Sequence, residues 1–210
     1  MIKSIINELS DNSQSLVEPL LKTKILASRI GNENLLNWVN NELIGYYDID
    51  ENDIPSYRIA QAFTHCNIQK DYLVKRNTPF PISLLPEDFP KKRFLEFPLK
   101  DGIDTLENYQ TDKEKDLLGI PLPIDLCSYV TSEVRKKDAE LNITNIIVTT
   151  QVSSITQTLA EIRMIFLDSM LALEKEFPNL ENEIEESQAG KEKISKQITI
   201  IMEQNNIKNN

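Results

Sequence analysis

Ile155, Leu159, Ile162, Phe166, Met170, Leu173 and Phe177 recur at steps of four and three residues. That spacing lays apolar side chains along one face of an α-helix. The stripe runs for roughly six helical turns before Pro178 closes it. Ser154 and Gln157 fit a capping box at its start. Ile165, Leu167 and Leu171 widen the apolar surface beyond a narrow seam, so the pattern predicts a long helix near the C-terminus packed on more than one side.

The N-terminal part carries the same period. Ser15 and Glu18 suggest a capping box, and Pro19 is tolerated that early in a helix. Leu16, Leu20, Ile25 or Leu26, and Ile30 form a stripe that Gly31 stops. Asn32 can cap a second helix with Leu35, Leu36, Val39 and Leu43 on its core face, Trp38 on the flank and Gly45 as its stop. Two helices joined so tightly fold back as an antiparallel hairpin. Residues 46–57 read as an acidic loop, and Arg58 to Val74 as one or two strands. Seven of the ten prolines then fall between Pro79 and Pro123. They confine that stretch to loops and short helices, at 101–110 and 124–138. Residues 141–149 read as a strand. The expected fold is α+β and helix-rich, with the N-terminal helical hairpin and the long C-terminal helix packed with a small β-sheet. The expected division is a domain over 1–178 and a polar tail over 179–210, in which Ile194, Ile198 and Ile201 can align as a short amphipathic helix. Only five glycines occur in 210 residues, which argues against glycine-rich phosphate loops and multi-hairpin sheets.

The formal net charge is −10. A field of that sign repels phosphate backbones and anionic lipid, so neither nucleic acid nor a membrane is an expected partner. The basic runs Lys91-Lys92-Arg93 and Arg135-Lys136-Lys137 read as solvated surface. Cys66 and Cys127 build no disulfide framework and fit no zinc spacing. The first fifteen residues hold no apolar signal core, and Asp168 breaks the most apolar run. A cytoplasmic location is the expectation.

Chemistry is sparse. Walker, GxGxxG, GxSxG and HExxH patterns are all missing. His65 is the single histidine, and on a strand its neighbour Cys66 points to the opposite face. Asp48, Asp50, Asn52 and Asp53 resemble the first half of a calcium loop, but Asp53 and Ile59 stand where the pattern needs glycine and glutamate. Lys100, Asp101, Asp104 and Glu107 are close enough in sequence for two-metal chemistry, yet a chain with 33 acidic residues produces such clusters by chance. No catalytic residue, metal ligand or cofactor is assigned.

The blocks LLKTKILASRIGNENLLNWVNNELIGY, IPSYR, PISLLPEDF, DGIDTLENY, IPLPIDL and QTLAEIRMIFLDSMLALEKEFP follow one another in the order of the AbiTii domain family. The chain resembles that family, found in bacterial abortive-infection and related antiphage defence proteins, over roughly residues 1–178. Where the family's pattern suggests a tryptophan near Leu122, this chain has Pro121 and Pro123. Asn41, Glu42, Gly45, Tyr46, Pro55, Tyr57, Arg58 and Arg163 match the family's pattern. The resemblance implies a component of phage resistance. The preferred reading is a non-enzymatic effector or regulator that works through protein–protein contacts, with a phage-encoded or same-operon protein as partner. Two rival readings are a metal-dependent nuclease or nucleotide hydrolase, and a structural module that self-associates. The expected interaction surface is Tyr46, Asp48, Asp50, Tyr57 and Arg58, since interface hot spots favour Tyr and Arg.

Overall fold

The helical hairpin forms where the spacing predicts it, as Val17–Ile30 (α2) and Glu33–Ile44 (α3). Between them Gly31 takes the left-handed conformation and Asn32 caps α3, its Oδ1 accepting from the Leu35 N–H at 2.7 Å. The computed structural model describes residues 1–112, 116–180, 184 and 187–205. Further α-helices are Ile2–Ser10 (α1), Lys92–Leu95 (α4), Ile103–Thr111 (α5), Ile124–Arg135 (α6), Val152–Glu176 (α7) and Gln188–Gln204 (α8). The strands are Ile59–Gln61 (β1), Phe63–Lys70 (β2), Leu73–Pro79 (β3), Glu96–Pro98 (β4), Leu117–Pro121 (β5) and Leu141–Gln151 (β6). The architecture is α+β, with N-terminal helices, a long C-terminal helix and a small antiparallel sheet. The chain divides into two compact units: Met1–Arg58, Leu99–Asp112 and Ile155–Asn210 in the first, Ile59–Pro98 and Lys113–Ser154 in the second. No helix among the described residues is long and apolar enough to cross a membrane.

The first unit is helical. The seven stripe residues from Ile155 to Phe177 are all buried, and Phe166 meets the Trp38 ring edge-on at 5.5 Å. Trp38 is therefore core, not flank. Neither expected capping box forms. The Ser15 hydroxyl accepts from the Val17 N–H, but the carboxylate that completes the start of α2 is Glu107 of α5, which accepts from the Leu16 N–H at 2.8 Å. A carboxylate distant in sequence does the work expected of Glu18. The long helix starts at Val152, straight from β6, so Ser154 lies inside its first turn.

Of the polar stretch 179–210, residues 181–183, 185, 186 and 206–210 lie outside the described residues. Within it, α8 buries Ile194, Ile198, Ile201 and Met202 and lies against α2 and α3. The amide of Asn32 donates to the Ser195 carbonyl at 2.8 Å, so one side chain caps α3 and holds α8.

In the second unit the sheet order is β3-β2-β6-β5, antiparallel throughout, with β1 and β4 as a separate pair. Helix α6 packs on β6, and Cys66, Phe94, Val130, Val134, Ile143 and Ile146 form the centre of this core. The Thr131 hydroxyl donates to the Ile143 carbonyl at 2.7 Å. The hairpin β2–β3 corrects the inference drawn from scarce glycine. Asp71 makes the turn at φ 51°, and the pairing slips in β3 and β6 alongside Asn77 and Asn145, each at φ 50°. Asp and Asn tolerate the left-handed region better than other side chains, so short polar residues replace glycine here. The slip also explains the burial of β6. Ile143 and Ile146 are an odd three apart yet both buried, because the bulge at Asn145 restores the alternation.

Candidate functional site

Glu42 sits on the core stripe of α3, one turn beyond Trp38 and Val39, and its burial forces it to find partners. It finds three. Its Oε1 accepts from the Tyr46 hydroxyl at 2.7 Å and the Tyr57 hydroxyl at 2.8 Å, and its Oε2 pairs with the Arg58 guanidinium. The Trp38 indole donates in turn to the Tyr57 oxygen at 2.8 Å. Arg58 is completely buried and donates from its other terminal nitrogen to the carbonyls of Asp101 (2.8 Å) and Leu99 (3.3 Å), while lying over the Tyr46 ring at 5.1 Å. Only its Nε is left without a partner.

The backbone around this cluster is drawn tight. The Tyr46 N–H donates to the Lys100 carbonyl at 2.7 Å, and Gly45 pairs with Asp101 across an isolated bridge. A Cβ on Gly45 would stand 2.5 Å from the Lys100 oxygen, and one on Gly102 2.3 Å from the Leu43 oxygen. Both positions need a residue with no side chain. The Thr158 hydroxyl of α7 donates to the Tyr57 carbonyl at 3.0 Å. The acidic segment 46–57 is thus anchored at both ends: at its start by Tyr46 and at its end by Tyr57 and Arg58.

Electrostatics follow from this burial. Desolvation and then the Glu42 charge push both the Tyr46 and Tyr57 hydroxyls well above the ordinary tyrosine range. Burial pulls Arg58 down, but the Glu42 carboxylate outweighs it and the net direction is up. These groups are held in fixed ionisation states, which suits scaffolding rather than proton transfer.

The structure therefore divides the expected surface. Tyr46, Tyr57 and Arg58 are interior residues and present no face to a partner in this fold; the expectation that they are exposed is corrected. Sequence proximity to an acidic loop concealed that each has a buried carboxylate to serve. Asp48 and Asp50 are exposed. Asp50 accepts from the Asn52 N–H at 2.9 Å in a local turn. Beside them Tyr47 is 63% exposed and donates to the Asp101 carboxylate, a bond that raises its hydroxyl to about 12. Glu42, marked in the sequence only as a match to the family's pattern, is the residue absent from the expected site. A carboxylate on an apolar helical stripe was the signal that could have found it.

Arg163 works differently. Its guanidinium reaches the carbonyls of Glu8 (3.4 Å), Leu9 (3.3 Å), Asp11 (3.1 Å) and Gln14, closing the C-terminal end of α1 and the turn after it. Burial lowers its affinity for a proton, opposed by the charges of Glu107 and Asp11. Arg163 and Glu107 line a cleft of about 530 Å³ with Gln14, Ser15, Thr156 and Met164. Both charges are already committed to protein groups. Of the earlier carboxylate cluster, Asp101 binds Tyr47 and Glu107 caps α2. Among the described residues, no group of three or more His, Cys, Asp or Glu is placed to hold a metal ion. His65 is half-buried on β2 and Cys66 is buried beside it.

A comparison with protein families matches residues 1–199 to AbiTii. The match passes Phe177 and takes in most of α8. No curated protein and no solved structure matches the chain.

Proposed function

The chain belongs to the AbiTii family, and we propose that it serves bacterial antiphage defence by abortive infection, as a non-enzymatic cytoplasmic component acting through contacts with another protein. The family match over residues 1–199 carries this reading. The site geometry supports the second half of it. Glu42, Arg58, Tyr46 and Tyr57 spend their polar groups on one another and on backbone carbonyls. What they support is the segment between them, which offers Tyr47, Asp48 and Asp50 to solvent. A loop fixed from beneath binds with little ordering cost.

The test is infection of bacteria carrying the gene with its native neighbours, at low and at high phage dose. Abortive infection predicts fewer plaques at low dose and dead or arrested cells at high dose. Infected cells that survive and divide at high dose would rule it out. Phosphodiester or nucleotide cleavage by the purified protein, abolished by a chelator and by Asp101→Ala, would replace the non-enzymatic reading with the hydrolase one.

A further inference from the structure

Strands β3 and β5 are the two edges of the four-stranded sheet, and they differ in how they meet solvent. The β3 edge is guarded. It carries Lys75 and Arg76, both exposed, and its pairing slips beside Asn77. Charges and bulges are the ordinary devices that keep a sheet edge from pairing with another chain. The β5 edge has neither. Leu117, Leu118, Gly119, Ile120 and Pro121 hold no charge, their register with β6 is unbroken, and Leu117 and Ile120 are 54% and 49% exposed.

The ladder shows which backbone groups face outward. The Leu122 N–H donates to the Ile146 carbonyl and the Val152 N–H to the Asp116 carbonyl. Even-numbered residues of this stretch therefore point their amides at β6, while Leu117, Gly119 and Pro121 point theirs at the open edge. Proline at an outward position sacrifices no ladder bond.

We propose that β5 pairs with β5 of a second copy of this chain, antiparallel and centred on Gly119, to make one continuous sheet across two protomers. In that register the two Gly119 residues face each other and exchange N–H···O=C bonds, and each Leu117 N–H meets the opposite Pro121 carbonyl. Pro121 has no N–H to return, so each Leu117 carbonyl stays with solvent and the ladder holds four bonds; no side chain stands at the two-fold axis. Charge selects the second copy as occupant. Residues 59–98 and 113–154, the unit that holds β5, carry eleven Lys and Arg against ten Asp and Glu; the rest of the chain carries twelve against 23. Two copies with a net charge of −10 repel least where the local charge is close to zero. An uncharged strand also adds no like-charge pair to the new ladder.

Pairing along five residues makes a small interface, so the mass of the full chain is to be measured by sedimentation from about 1 to 100 μM. The expected result is a shift, as concentration rises, from 24.1 kDa towards twice that mass. Leu117→Lys with Ile120→Lys restores 24.1 kDa at all concentrations with an unchanged circular dichroism spectrum. Gly119→Cys cross-links to itself under mild oxidation, because facing residues of a hydrogen-bonded pair stand about 5.5 Å apart, within disulfide reach. A Cβ at 119 would meet the methyls of Ile147 and Thr149 at 3.3 and 3.4 Å and the Val148 oxygen at 4.0 Å, so these methyls must give by a few tenths of an ångström, and an unchanged circular dichroism spectrum is required of this variant too. Leu73→Cys on the guarded edge does not cross-link. A chain of 24.1 kDa throughout, or a dimer that survives both lysines and does not cross-link through position 119, overturns the proposal. These measurements need no phage, so they stand or fall apart from the defence assay.

Discussion

Arg58 and Glu42 form an ion pair from which solvent is completely excluded, with both side chains at zero exposure. Sixteen residues separate them in sequence, and the chain between is the acidic segment. Burying two charges costs more than their attraction returns unless further hydrogen bonds complete them. Here two tyrosines complete Glu42, and two carbonyls accept from one terminal nitrogen of Arg58, whose Nε stays unpartnered. Removing one partner leaves the other charged and stranded. Glu42→Leu or Arg58→Met should each cost about 3–5 kcal/mol. The double variant should cost less than the sum by about 1–3 kcal/mol. Urea melts of the three variants decide this; strictly additive losses would mean that the pair is not coupled.

The same cluster predicts a pH dependence. Tyr46 and Tyr57 have folded-state hydroxyls raised above the unfolded value of about 10. Above that pH the unfolded chain releases protons that the folded chain retains, so unfolding gains. The stability contributed by these groups is fully present below about pH 10 and declines as pH rises beyond it. Denaturation midpoints between pH 8 and about 11.5 should fall on the alkaline side, and Tyr46→Phe should flatten the slope. An unchanged slope in that variant would place the ionising groups elsewhere.

Periodicity made the helices legible. The stripes on α2 and α7 needed only local spacing, and all seven residues from Ile155 to Phe177 are in the core. The candidate site was legible in its residue types but not in its orientation. Tyr46, Tyr57 and Arg58 stand next to charged residues in sequence, while the carboxylate they serve lies on a helix that hydrophobicity assigns to the core. Where Asp48 and Asp50 are exposed and Glu42 is buried, composition gives no way to choose between them. The same limit hid Glu107, which caps α2 from 91 residues away. The turns were misjudged for another reason: Asp71, Asn77 and Asn145 supply the positive φ that glycine normally signals.

Arg163 should resist even conservative replacement. Its planar fork reaches four backbone carbonyls at the end of α1, which a single ammonium cannot span. Arg163→Lys should cost roughly 1–3 kcal/mol. Amide exchange should rise selectively over residues 5–16. Uniform loss of protection across the chain would show a global role instead.

The last helix belongs to the first unit's core despite its polar composition. Cutting the chain at Asn179 would remove α8 with its buried Ile194, Ile198, Ile201 and Met202 and uncover the surface of α2 and α3 that this helix lies against. The truncated protein should melt with reduced cooperativity and bind a hydrophobic dye. Asn32→Ala should be the milder version, losing about 1 kcal/mol for the cap and raising amide exchange in 188–204 through the lost bond to Ser195. A truncated chain that melts as sharply as the full one would show that α8 is dispensable.

The proposed surface can be separated from its support by charge. Asp48 is exposed, and Asp50 holds a local turn through its Oδ1, an atom that asparagine retains. Asp48→Lys with Asp50→Asn therefore cuts the formal charge of the loop from −4 to −1, with Glu51 and Asp53 retained, and keeps its turn, at a stability cost within about 0.5 kcal/mol. If the loop reads a partner, this variant should lose protection against phage by at least tenfold in plaque counts while its melt stays unchanged. Tyr57→Phe behaves differently. It leaves the Trp38 indole and Glu42 without the hydroxyl between them, at a cost of about 1–3 kcal/mol, so any loss of protection should follow loss of folded protein in the cell. The two variants give opposite patterns, one stable and inactive, the other active in proportion to its abundance. Full protection by the stable charge variant would remove the loop from the mechanism and leave Glu42 and Arg58 as purely structural.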